Sequence, residues 1–186
     1  MRPSSVGPQE LKVVIELSLV LEAPTWMRFL APAGEAVLVA NYVTGTVARL
    51  SISHAGALRL PAPVFGHAGT GPRADRQEAP HAHSIAPDPS GRWALAADLG
   101  ADKLYIYRLS PSRMEPYGAV QLQPGAGPRH FAFSADGRRL YLANELDSTV
   151  SYLTFDPASA HIEQVQTLSA LPASGASPVS RSQTEP

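Results

Sequence analysis

The amino-acid sequence predicts an all-β chain built as an incomplete β-propeller, about three to four four-stranded blades in an unclosed ring. Three observations predict it. One pattern recurs three times at a spacing close to that of propeller blades, 18 prolines and 14 glycines punctuate short apolar segments, and apolar residues within the copies recur at every second position.

The copies read TWMRFLAPAGEAVLVANYVTGTVARLSI, AHSIAPDPSGRWALAADLGADKLYIYRL and PRHFAFSADGRRLYLANELDSTVSYLTF. Aligned on Gly34, Gly91 and Gly137, they are offset by 57 and then 46 residues without an internal gap. Each copy parses as a first strand, a turn ending in Gly, a second strand closing on Ala-Asn or Ala-Asp, a short polar loop and a third strand. Leu50, Tyr107 and Leu153 share one column of the third strand, and Ile52, Leu109 and Phe155 share the column two residues on. A period of two puts both columns on one sheet face. A fourth strand is expected over residues 58–65, 117–122 and 162–168. A two-sheet sandwich is the alternative, but it would not require the same columns to repeat in register.

Residues 13–20 read as a stray outer strand, residues 1–170 as the partial propeller domain, and residues 171–186 as a disordered Pro/Ser-rich tail. Such a ring does not close as written. Its open faces and edges are expected to favour self-association.

With 186 residues, 44% of them hydrophobic and 17% charged, the chain is long enough to bury a core. The net charge of −1 includes no basic cluster of the kind phosphate-backbone binding needs, so no nucleic-acid partner is expected. The absence of cysteine excludes disulfides and thiolate metal sites and fits a reducing compartment. Glu16 interrupts the apolar run over residues 11–21, and no run of about 18 apolar residues exists. A soluble, cytoplasmic protein without membrane contact is expected.

In an antiparallel meander the start of the first strand and the end of the second lie at one sheet edge. If the first strand is innermost, those positions from every blade converge on one mouth of the central channel. Trp26, His83 and Arg129 occupy the first such column; Asn41, Asp98 and Asn144, followed by Tyr42, Leu99 and Glu145, occupy the second. Divergence into His, Arg and Glu at one rim marks a grafted site, so His83, Arg129 and Glu145 are the catalytic candidates, with His81 and Asn144 as candidate substrate contacts.

Each has a plainer reading. Glu145 and Arg129 could form an ordinary rim ion pair. His81 and His83 could be loop histidines, or a metal pair with too few ligands around it, and no metal is expected. His130 alternates with Arg129 and is expected to point away. Asn41 and Asp98 read as turn residues bonding their own backbone. The 11 residues by which the first interval exceeds the second fall in a long loop, GHAGTGPRADRQEAP, entering the mouth beside His83; Arg73 and Arg76 within it could reach an anionic ligand. There is no phosphate loop, nucleophile elbow or H-E-x-x-H motif.

The stretches PHAHS, DPSGRWALAADLGADKLYIY and GAGPRHFAFSADGRRLYLANELDSTVSYLTF resemble the seven-bladed propeller lactonases, a family that includes bacterial 6-phosphogluconolactonase and the fungal carboxy-cis,cis-muconate cyclising enzyme. The resemblance covers residues 25–168. It implies a lactonase-type propeller of nominally seven blades, a small anionic lactone as substrate, and no cofactor. The family's active-site histidine, arginine and glutamate fall on His83, Arg129 and Glu145. It implies opening of a sugar lactone by water, as in conversion of 6-phosphogluconolactone to 6-phosphogluconate in the pentose phosphate pathway. Alternatives are a muconate-type substrate, a non-catalytic binding propeller, to which NYVTGTV is similar, and an inactive truncated relative. Members of the family are longer, and their later blades contribute part of the pocket.

Overall fold

A computed structural model describes residues 24–29, 36–59 and 62–172. The expected strand over 13–20 lies outside these residues, as does the expected tail from 173 onward. Every regular element among the described residues is a strand, arranged in three antiparallel sheets. Sheet 1 holds β1 (Pro24–Phe29), β2 (Ala36–Asn41), β3 (Thr46–Ile52), β4 (Leu58–Arg59) and β5 (Val64–Gly66). Sheet 2 holds β6 (Ala82–Pro87), β7 (Trp93–Asp98), β8 (Lys103–Leu109) and β9 (Met114–Gln121). Sheet 3 holds β10 (Pro128–Phe133), β11 (Arg139–Asn144), β12 (Thr149–Asp156) and β13 (His161–Ser169). Strands pair in chain order, as expected of propeller blades.

The outer strand of sheet 1 departs from the expectation of one strand over 58–65. It splits into β4 and β5, which both pair with β3. The sequence between them is Leu-Pro-Ala-Pro, and prolines at 61 and 63 have no N–H to give to a ladder. Met114 and His161 begin the other two outer strands earlier than their apolar patterns suggested.

The repeat columns become packing layers. Leu38, Ala40 and Val47 of sheet 1 cluster with Ile85, Ala94, Ala96, Tyr107 and Leu109 of sheet 2. Leu95, Ala97, Leu104 and Ile106 of sheet 2, with Leu122 just beyond it, cluster with Leu140, Leu142, Leu153 and Phe155 of sheet 3. Each sheet therefore offers its successor the same face. In sheet 3 that face carries Tyr141, Ala143, Val150, Tyr152 and Leu168, and Tyr141, Val150 and Leu168 are exposed. Polar ties lock sheets 2 and 3 together. The Trp93 indole N–H (3.0 Å) and Arg92 (2.7 Å) both donate to the Pro157 carbonyl, and the Ser84 hydroxyl donates to the Arg129 carbonyl at 2.6 Å.

Candidate functional site

Each first strand is bulged at its rim end. Pairing runs from Ala82 with Asp98 directly to Ser84 with Ala97, and from Pro128 with Asn144 directly to His130 with Ala143. His83 and Arg129 are thus the extra, unpaired residues of two equivalent bulges. A bulge bends the strand and re-aims its extra side chain. In sheet 1 pairing passes from Pro24 to Trp26, so the equivalent residue is Thr25. The expected column of Trp26, His83 and Arg129 is off by one in its first member, because Phe29 and its partner Val37 are one residue further apart in the chain than Pro87 and Ala94 or Phe133 and Leu140, an insertion that an ungapped alignment cannot register.

The bulges bring the two side chains together. The Arg129 Nε–H donates to His83 Nε2 at 3.1 Å, which leaves the imidazole proton on Nδ1. Nδ1 is buried and has no hydrogen-bond partner among the described residues. Burial is the largest influence on His83, and the His130 ring and the Arg129 guanidinium beside it act the same way, lowering its pKa to about 4. His83 is therefore a neutral imidazole at neutral pH. His130, expected to point away, packs edge-on against it with ring centroids 4.9 Å apart. The bulge breaks the alternation on which that expectation rested.

Glu145 follows β11 and is fixed by its backbone, whose N–H donates to the Gly127 carbonyl at 2.8 Å. Its Oε2 lies 3.3 Å from Arg129 Nε and 3.8 Å from His83 Nε2, while Oε1 accepts from an Arg76 terminal nitrogen at 2.7 Å. Burial by itself would raise its pKa. The Arg76 hydrogen bond and the positive charges of Arg129 and Arg76 outweigh that, so the carboxyl sits below its ordinary value and is ionised. His83, Arg129 and Glu145 accordingly form one constellation.

His81 and Asn144 are placed differently. The His81 ring stacks on Tyr42 (centroids 4.5 Å apart), Nδ1 donates to the Tyr42 carbonyl at 3.0 Å, and Nε2 lies 3.1 Å from the Glu78 carboxylate. Both nitrogens are spent on the protein, and only 8% of the residue is exposed. Asn144 is also buried, and its amide donates to the hydroxyls of Thr149 (2.8 Å) and Ser151 (2.9 Å). These contacts tie both residues to their neighbours in the rim. Asn41 likewise bonds the Thr46 hydroxyl (3.0 Å) rather than its own backbone. Asp98 accepts from the backbone N–H groups of Ala101 (2.9 Å) and His81 (2.8 Å).

Two further side chains join them. The sequence places Arg76 in a long loop from which it could reach an anionic ligand, and Tyr42 in the column of Glu145, but connects neither with the trio. Arg76 bonds Glu145 and lies 3.4 Å from the Tyr42 hydroxyl, and the Tyr42 ring meets His83 edge-on at 5.6 Å. The loop's 11-residue excess was the available signal. Arg73 instead pairs with Asp75 in its own loop, at 3.4 Å.

Among the described residues no group of three metal-ligating side chains is assembled, and no helix is long and apolar enough to cross a membrane. What the rim offers is a neutral imidazole, an ionised carboxylate and two guanidiniums around one opening, a set suited to moving a proton and holding negative charge.

An incomplete propeller with a charged rim is the class these features define. The family model for "Lactonase, 7-bladed beta-propeller" matches residues 14–183, and the chain belongs to that family. It is 38% identical over 136 residues to the 6-phosphogluconolactonase of Bacillus subtilis (strain 168), a match covering 73% of this chain and 39% of that protein. Among solved structures it is similar to a Lactobacillus plantarum protein, with TM-score 0.76, 32% identity, and coverage of 81% of this chain and 43% of that one. It is also similar to the Pseudomonas aeruginosa periplasmic gluconolactonase PpgL, with TM-score 0.74, 33% identity, and coverage of 83% and 44%. The chain thus spans about two fifths of the length of these relatives.

Proposed function

We propose that this chain carries the catalytic rim of a lactone hydrolase whose substrate is a sugar lactone, 6-phosphogluconolactone, opened to 6-phosphogluconate as in the pentose phosphate pathway. The observation that carries the reading is the convergence of His83, Arg129 and Glu145 within 3.1 to 3.8 Å of one another. Family membership and the 6-phosphogluconolactonase relative support the choice of substrate.

Water attacks the lactone carbonyl carbon as Glu145 takes its proton. Negative charge moves to the carbonyl oxygen, where the Arg129 guanidinium stabilises it. The ring C–O bond then breaks, and the departing alkoxide takes the proton back from Glu145, giving the open hydroxy acid. His83, neutral and bonded to Arg129, orients the guanidinium and lies close enough to Glu145 to share the proton. No bond change in this sequence calls for a cofactor. A cytoplasmic location belongs to the same reading and is supported by the cysteine-free sequence.

The test is hydrolysis of freshly generated 6-phosphogluconolactone above its spontaneous rate, by the chain and by Arg129→Ala and Glu145→Gln. The expected result is acceleration by the parent, reduced about a hundredfold or more by either substitution. Acceleration that survives both substitutions would rule out this rim as the catalytic site.

A further inference from the structure

We propose that Arg76 is the specificity-determining residue of the site, an arm supplied by the loop between β5 and β6 that recognises the phosphate ester of the lactone and leaves Arg129 to the carbonyl oxygen. This rests on the lactonase reading above and assigns a role that reading leaves open.

The loop holds Arg76 in place from both sides. Ahead of it, His67 donates from Nδ1 to the Asp98 carboxylate at 2.6 Å, and its Nε2 lies 2.8 Å from the Tyr107 hydroxyl; both partners belong to sheet 2. The His67 and Asp98 side chains are fully buried. Behind it, the fully buried Gln77 donates from Nε2 to the Leu99 carbonyl at 2.8 Å and accepts at Oε1 from the Arg73 N–H at 3.2 Å. The chain then runs so close to sheets 1 and 2 that a Cβ at Gly45 would strike the Pro80 carbonyl, and one at Gly100 would strike that of Ala79. Arg76 is thus a pre-positioned group at the mouth, and its position has already met its entropic cost.

Its bonding is incomplete in a way that points to a ligand. Both of its contacts, to Tyr42 and to Glu145, run through a single terminal nitrogen. Its Nε and its other terminal nitrogen engage nothing among the described residues, and 39% of the side chain is exposed. Arg129 is alike: Nε alone meets His83 and Glu145, both terminal nitrogens are unengaged among the described residues, and 49% of the side chain is exposed. A purely structural pair of this kind would be one cation to one carboxylate. Here two guanidiniums flank the Glu145 carboxylate beside a neutral imidazole, and each keeps an open planar fork; Asp75 and Glu78 lie near enough to Arg76 to feel its charge, but neither bonds it. A phosphate monoester has the charge and the oxygen spacing to fill such a fork.

The experiment is calorimetric titration of the full chain with 6-phosphogluconate and with gluconate, which share the open-chain acid and differ in the phosphate. The parent is expected to bind the phosphorylated acid about tenfold to a hundredfold more tightly. Arg76→Gln should bring that ratio close to one, and Arg76→Lys, which keeps the charge but not the fork, should restore part of it. An unchanged thermal melt for both variants separates recognition from folding. A ratio that persists in Arg76→Gln overturns the assignment while leaving the lactone site intact. Failure of the parent to bind either acid overturns the lactone reading and this proposal with it.

Discussion

His83 shows how one backbone irregularity sets the chemistry of a side chain. The bulge turns it under the rim, where burial dominates and two neighbouring basic groups reinforce the preference for the neutral form. Its pKa in the folded chain, about 4, is below the ordinary 6.5. Between those values the unfolded chain binds the proton and the folded chain does not. Stability from this group is therefore complete above about pH 6.5 and is lost as pH falls toward 4, by on the order of 3 kcal/mol. Urea unfolding from pH 7 to pH 4 should show that slope, and His83→Gln should flatten its share of it. An identical slope in the variant would mean that the imidazole titrates normally. Glu145 acts in the same direction at lower pH, because its pKa is also depressed.

At the scale of elements, the loop between β5 and β6 and the end of β7 act as one unit. Asp98 terminates β7 and gathers the His81 and Ala101 N–H groups and the His67 ring on one carboxylate. Asp98→Ala leaves three donors without an acceptor and is expected to cost about 3 kcal/mol or more in a thermal or urea melt. Binding of 6-phosphogluconate should weaken with it, since the loop carrying Arg76 loses one of its ties to sheet 2. The sequence made the loop visible through spacing but not its fastening. Asp98 looked like a turn residue bonding its own backbone, and the Ala101 contact fits that reading. The contacts to His67 and His81, 31 and 17 residues away, depend on how the loop folds back.

For the molecule at the scale of its sheets, sheet 3 has, among the described residues, one face with no sheet packed on it. The columns that bury Leu95, Leu104 and Ile106 between sheets 2 and 3 place Tyr141, Val150 and Tyr152 on the far side of sheet 3. Tyr141 and Val150 are 46% and 41% exposed. Apolar surface repeated in the pattern of a sheet interface favours association. Sedimentation of the full chain is expected to depend on concentration, and the double substitution Tyr141→Lys and Val150→Lys to shift it toward monomer. A parent that sediments as monomer at all concentrations would refute this.

The sequence by itself determined the strand period, the three-fold repeat, the order of strands within each sheet and the rim positions of His83, Arg129 and Glu145. These are local or periodic properties, so residues two apart share a face and residues one repeat apart share a layer whatever the rest of the chain does. Only the tertiary structure decided that Thr25 rather than Trp26 holds the bulge position of sheet 1, that His130 packs on His83, that His81 bonds Tyr42 and Asn144 bonds Thr149, and that Arg76 pairs with Glu145. The reason is distance along the chain. Arg76 and Glu145 are 69 residues apart and belong to no common repeat column, so their contact exists only once a long loop has folded across sheet 2 and three sheets have packed around one mouth.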